Sequence, residues 1–284
     1  MNLRRFAARS AVAGITTTLA AGALVAGSAG TANAATVANT YTCTVAALSS
    51  TFDTTLTVTG DVVPTAPAGW TVPAGTLKLT ATATVTDPAI QAALKNFGVS
   101  SARSDDFTIA LGKTAAPIPL SGAVTSDGTT TTWSASGANK KFVTPGAGNV
   151  NALLPAKFTF TAETAAIPDG VAIPCELKAG QSAQSLGAVA LTQQTTKTTV
   201  KKTTAKVGKV ATLVVKVKGN AGPATSGKVV VKEGKKTLGK AKVKNGTAKV
   251  KLGKLAKGKH KVVAKFQGDK SFKASKGKGV VTVK

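Results

Sequence analysis

Few side chains in this 284-residue sequence could do covalent chemistry. The single imidazole is His260. It falls on the apolar parity of HKVVAKF, in step with Val262, Ala264 and Phe266, which predicts a hydrogen-bonded structural residue. No G-x-S-x-G context accompanies it, so nothing in the sequence builds a serine nucleophile around it. The middle of the chain offers carboxylates at Asp105, Asp106, Glu163, Asp169 and Glu176. Two such groups can hydrolyse a glycosidic bond as acid and base or nucleophile. Asp105 and Asp106 open a strand after a polar loop and carry the alternative reading, an exported hydrolase. The carboxylates lack the spacing of an EF-hand loop. No metal or cofactor is expected. Trp70 and Trp133 could stack a sugar ring, although packing in the core or at a domain edge explains each more simply.

The remaining chemistry is a bond and a charge. Cys43 and Cys175 are the only cysteines. In an exported chain an even pair reads as a disulfide. It would tie TYTCTV to AIPCEL and close a loop of about 130 residues, stabilising the fold by roughly 4–5 kcal/mol on chain-entropy grounds.

The formal net charge is +26 and it is unevenly spread. Residues 195–284 hold 26 Lys against Glu233 and Asp269, a net of +24. Residues 35–194 hold eight basic and nine acidic groups, a net of −1. Such asymmetry marks a domain boundary. The basic part contains no Arg. Lys is a point charge, whereas Arg presents the planar fork that reads phosphates and bases. An all-Lys surface therefore predicts non-selective attraction to polyanions. Only Phe266 and Phe272 are aromatic there, which argues against base stacking on single strands.

The elements that must position these groups can be read from periodicity. MNLRRFAARS, an apolar Ala/Gly/Thr run and the small-x-small site at Ala32-Asn33-Ala34 have the layout of a secretory signal peptide over 1–34. No later apolar run is long enough to span a membrane, and no sorting motif or lipobox is found. The expectation is a secreted, extracellular or cell-wall-associated protein without a covalent anchor. Residues 35–190 form a neutral domain. TTLTVTGDVV, TLKLTATATV, DFTIAL, TTTTWSAS and KFTFTAET alternate apolar and polar residues, as half-buried strands do. DPAIQAALKNFG breaks the rule. Asp87 can cap, Pro88 fits the first helical position, Gly98 can close, and Ile90, Leu94 and Phe97 share a face. Residues 191–197 read as a polar linker.

Residues 198–284 alternate more cleanly. Leu213, Val215 and Val217, then Val229 and Val231, then Val281 and Val283 occupy single faces. Within AKVKNGTAKVKL, Asn245-Gly246 is the preferred pair for a two-residue type I′ turn. A ladder through that turn pairs Lys244 with Thr247, Val243 with Ala248, Lys242 with Lys249 and Ala241 with Val250. One face then carries Ala241, Val243, Ala248, Val250 and Leu252. The other carries Lys240, Lys242, Lys244, Lys249 and Lys251, the candidate polyanion-binding face. The fold class is thus all-β, with two antiparallel β-sandwich domains and one short helix inserted in the first.

The run SGKVVVKEGKKTLGKAKVKNGTAKVKL and the ending KGKHKVVAKFQGDKSFKAS resemble the bacterial Ig-like repeat of exported surface proteins. Gly258, His260, Ala264, Phe266, Gly268, Asp269, Phe272 and Ser275 fill that pattern, with Phe266 where Tyr is commoner. The resemblance implies an Ig-like sandwich in a structural or binding role and no catalytic residue. YTCTVAAL and the late Pro-Cys loosely resemble exported actinobacterial domains of unknown function. The functional expectation is a non-enzymatic cell-envelope or extracellular protein, held to anionic wall or matrix polymer by its Lys-rich domain. Extracellular nucleic acid is the other polyanion considered.

Overall fold

A computed structural model describes residues 33–165 and 167–284. The signal-peptide reading of 1–34 lies outside the described residues except for Asn33 and Ala34, which begin the first strand. The described chain is nearly all β, with one α-helix, as expected.

The neutral domain differs from a plain sandwich. Eight antiparallel strands close into a barrel. Around it they run Asn33–Val45, Ile167–Leu177, Lys157–Thr164, Ser101–Ser104, Leu120–Ser126, Thr131–Ala138, Lys78–Val85 and Ser50–Val62, which returns to the first. Alternation shows that a strand is half-buried, but not whether the outermost strands meet. Here they do. The first strand pairs with Ile167–Leu177, a partner far along the chain, and closure removes both sheet edges. A second, five-stranded sheet packs on the same core through Ile109, Leu111, Leu186 and Val189.

Cys43 and Cys175 are register partners in the closing ladder and are joined by a disulfide. Both are buried beside Tyr41, Phe158 and Phe160, which pack edge to face. Trp133 is buried too. Its indole meets Phe160 edge-on, and Nε1 donates to the Ala102 carbonyl at 2.9 Å. Trp70 is partly buried against the same core. Neither ring forms an exposed stacking platform.

The helix Pro88–Asn96 forms where the sequence places it. The Asp87 carboxylate accepts from the backbone N–H groups of Ala89 and Ile90. Ile90 is buried and Leu94 packs on the core. Phe97, expected on the same face, is instead 60% exposed. It follows the last helical residue, so the helical period no longer aims it inward.

The basic domain is a two-layer sandwich. One sheet comprises Thr196–Val200, Val210–Gly219, Gly222–Pro223 and Thr247–Lys254. The other runs Thr203–Ala205, Ser275–Val283, Gly258–Phe266, Lys228–Glu233 and Lys236–Lys242. Leu213, Val215, Val217, Val229, Val231, Val250, Val262, Phe266 and Val281 fill the space between. The expected inward parity is therefore observed.

The two domains touch, and the residues read as linker make the contact. Thr192 ends a strand of the first domain and Thr196 begins one of the second. Gln194 between them is 2% exposed. Its backbone N–H donates to Ser271 and its carbonyl accepts from Lys273. Its side chain donates to the Ala68 carbonyl at 2.7 Å and accepts from the Ala221 N–H at 3.0 Å. The 267–273 loop thus docks on the barrel domain, with Ala147 N–H also donating to the Lys270 carbonyl. Gly69 lies beneath that loop at φ 63°. A Cβ there would stand 2.7 Å from the Ser271 Cβ and 2.9 Å from the Phe272 ring, so the approach needs glycine.

Candidate anion-binding surface

The five lysines singled out by the sequence flank a turn that forms as expected. Asn245 and Gly246 have φ values of 47° and 73°, both positive as a type I′ turn requires. Lys244 and Thr247 exchange both backbone hydrogen bonds. The ladder stops there. Lys242 pairs with Lys228, not Lys249, and Ala241 pairs with Val229, not Val250. The chain crosses at the turn from one sheet to the other. Lys240 and Lys242 therefore project from the five-stranded sheet, while Lys249 and Lys251 project from the opposite one. Lys244 sits at the turn. The five do not form a single face, because inward parity is satisfied equally by a ladder and by two strands facing each other across a core. The two strands stay close beyond the turn, where a Cβ at Gly239 would lie 2.2 Å from the Lys251 carbonyl oxygen.

Other lysines join Lys240 and Lys242. Lys228 and Lys232 on one neighbour, and Lys261 and Lys265 on the next, share the outward parity. The signal for them was in the sequence, in the alternation of GKVVVKEG and HKVVAKF, but strand order was needed to place them side by side.

The charge is scarcely offset within the domain. All 26 lysines of residues 195–284 are exposed. Among the described residues none of them makes an ion pair with a carboxylate. Both acids are engaged elsewhere. Asp269 accepts from the N–H groups of Ser271 and Phe272 through one oxygen and from the Ser226 hydroxyl through the other. Glu233 faces His260. The barrel domain contrasts with this, since outward positions such as Thr57, Thr82 and Ser134 line up across neighbouring strands as uncharged hydroxyls.

His260 has an acceptor at each ring nitrogen. The Ala256 carbonyl is 2.9 Å from Nε2, and the Glu233 carboxylate is 3.0 Å from Nδ1. The carbonyl first and Glu233 second hold its pKa above the ordinary value. A group raised on folding stabilises fully below its unfolded value, about 6.5, and the stabilisation fades as pH rises through the higher folded value. The thermal midpoint of the protein is accordingly expected to fall slightly from about pH 6 to pH 8.5, before Lys begins to titrate. His260→Gln should flatten that slope. A wild-type midpoint that does not fall across this window would exclude the imidazolium pairing.

Four of the five carboxylates of the hydrolase reading are engaged, whereas Asp169 contributes its backbone carbonyl, to Arg103. Glu176 pairs with Lys157 at 2.6 Å. Asp105 pairs with Arg103 at 3.1 Å, and the same guanidinium pairs with Glu163. Ser101 and Arg103 lower the Glu163 pKa, in that order of effect. Asp106 accepts from the Ser104 hydroxyl and the Thr159 N–H through one oxygen, bracing adjacent strands. A depression at one barrel end brings Asp53 and Asp87 together. Asp53 is held by Lys178 and Thr42, and Asp87 caps the helix. The arrangement is one of structural hydrogen bonds.

Residues 198–284 match the family model described as bacterial Ig-like domain (group 3). The resemblance carried by the SGKVVVKEG and KGKHKVVAKFQGD runs is thus borne out. No curated protein matches the chain. Among solved structures, a Corynebacterium diphtheriae protein described as membrane anchored is 14% identical with a TM-score of 0.34, covering 88% of this chain. This chain spans 59% of that one. Fibronectin(III)-like modules of Clostridium thermocellum CbhA are 16% identical at a TM-score of 0.23, covering 80% of this chain and 94% of theirs. A chimeric titin Z1Z2 tandem is 11% identical at 0.26, covering 78% and 94%. At these scores the likenesses carry no argument about function. Among the described residues no helix is long and apolar enough to cross a membrane.

Proposed function

We propose that this chain is an exported, non-enzymatic surface or extracellular protein whose Ig-like domain holds it to anionic polymer by Coulomb attraction. The carrying observation is the set of 26 exposed lysines with no carboxylate partner among the described residues, on a domain whose two acids are spent on internal hydrogen bonds. A field of that density attracts any polyanion and concentrates it at the surface. The Ig-like family match supports a binding or structural role outside the cytoplasm. The leader pattern at 1–34 and the disulfide favour the same compartment. Wall or matrix polymer fits better than nucleic acid, since the domain offers neither Arg forks nor exposed aromatic rings. Phe266 and Phe272 are both fully buried.

Exposed charges are screened over about 10 Å at 0.1 M salt and about 3 Å at 1 M, so attachment of this kind is salt-labile. Retention of the full-length mature protein on purified cell envelope is expected to fall at least tenfold as salt rises from about 50 to about 500 mM. Retention unchanged over that range rejects the proposal.

A further inference from the structure

Resting on that reading, we infer that the outer face of the five-stranded sheet is the binding surface, and that it takes a flexible linear polyanion rather than a nucleic-acid duplex. The register places lysines in rows across four strands. Lys242 stands opposite Lys228. The next row runs Lys240, Val230, Lys265, Lys276. The row after it runs Lys232, Val263, Lys278. Lys261 faces Val280 one step further on. No acid interrupts the lattice: Glu233 falls on the inner parity with His260, and Asp269 lies in the docking loop.

Like charges directly opposed across strands destabilise a sheet, and here Lys242–Lys228 and Lys265–Lys276 are such pairs. The fold tolerates them side by side at a face where anions can relieve them. Val230 points outward yet is only 7% exposed, so its neighbours' side chains cover it. Lysine stems lie along apolar surface while the ammonium groups stay in water, and this keeps the charged tips level. Val263 and Val280 remain partly exposed between lysines and give aliphatic links of a polymer something to rest on.

The lattice has a definite pitch. Strands lie about 4.8 Å apart and same-face residues about 6.6–6.8 Å apart, so the four strands that carry the lysines span about 14 Å. A flexible chain with closely spaced charges can cross several rows at once. A rigid duplex meets a flat sheet along a line and leaves most rows unused. The opposite sheet carries one such pair, Lys197 opposite Lys218. Its other lysines are spaced by uncharged residues: Lys216 stands between Thr199 and Thr247, and Lys249 and Lys251 face Val214 and Thr212.

Two fourfold variants of the full chain separate the faces at equal net charge. One replaces Lys228, Lys265, Lys276 and Lys278 with Gln, and the other replaces Lys197, Lys218, Lys249 and Lys251 with Gln. Binding to inorganic polyphosphate at about 0.1 M salt, where screening is moderate, should weaken at least tenfold for the first and less than threefold for the second. Arg at the first four positions should restore it. Equal weakening of the two variants overturns the face and leaves the proposed function standing, because attraction would then follow net charge alone. A wild type that does not bind polyphosphate at low salt overturns both. Wild-type affinity for duplex DNA of matched charge should be at least tenfold weaker. Equal affinity overturns the preference for a flexible chain. A thermal midpoint at or above that of wild type in each variant, as relief of like-charge repulsion predicts, would show that both are folded.

Discussion

Replacing both Cys43 and Cys175 with Ala should lower the stability of the barrel domain by about 5 kcal/mol. The bridge joins residues 132 apart in sequence, and the chain-entropy model assigns a loop of that size about 5 kcal/mol. Alanine avoids burying a hydroxyl at two sites that are fully enclosed. The location adds a structural reason for a large effect. The bridge sits in the ladder between Asn33–Val45 and Ile167–Leu177, where the last barrel strand in sequence meets the first. Without it, the closing contact must be found by two strands separated by most of the domain. For a domain of this size each kcal/mol moves the thermal midpoint by about 2–4 °C, so a drop of about 10–20 °C is expected. Trp133, buried in the barrel, is the natural fluorescence reporter. Equal midpoints for wild type and double variant would mean that packing alone holds the closure.

Gln194→Ala should uncouple the two domains. The substitution removes the partner of the Ala68 carbonyl in one domain and of the Ala221 N–H in the other. Each buried polar group left unpaired costs about 1–3 kcal/mol, so the joint should weaken by about 2–6 kcal/mol in all. The main-chain bonds of Gln194 to Ser271 and Lys273 survive, so each domain should still fold. The expected readout is a single calorimetric transition in wild type and two in the variant. A variant that still unfolds in one transition at the wild-type midpoint would show that Gln194 does not couple the domains. Coupling of this kind holds the Lys lattice at a set angle to the barrel, since the 267–273 loop joins the lattice strand Gly258–Phe266 to Ser275–Val283.

Much of this molecule is legible locally. Asp87, Pro88 and Gly98 define the helix because capping depends on adjacent residues. Asn245-Gly246 defines its turn because both positions need positive φ. The burial of Leu213, Val215, Val217, Val262 and Val281 follows from period-two alternation, which a strand obeys wherever it is placed. Phe97 shows where local reasoning ends, since one residue past the helix its direction is set by the chain's exit.

The sequence by itself determined the two-part division of charge, the all-β class, the helix, the turn and the cysteine pair. Each depends on composition, on neighbours, or on there being one choice. Only the tertiary structure decided that the first eight-stranded sheet closes, that Lys240 and Lys249 leave the sandwich in opposite directions, and that Gln194 is buried in a joint. These are matters of which distant strands meet. Alternation is blind to that, because the same inward parity satisfies a ladder, a barrel and two layers facing each other across a core.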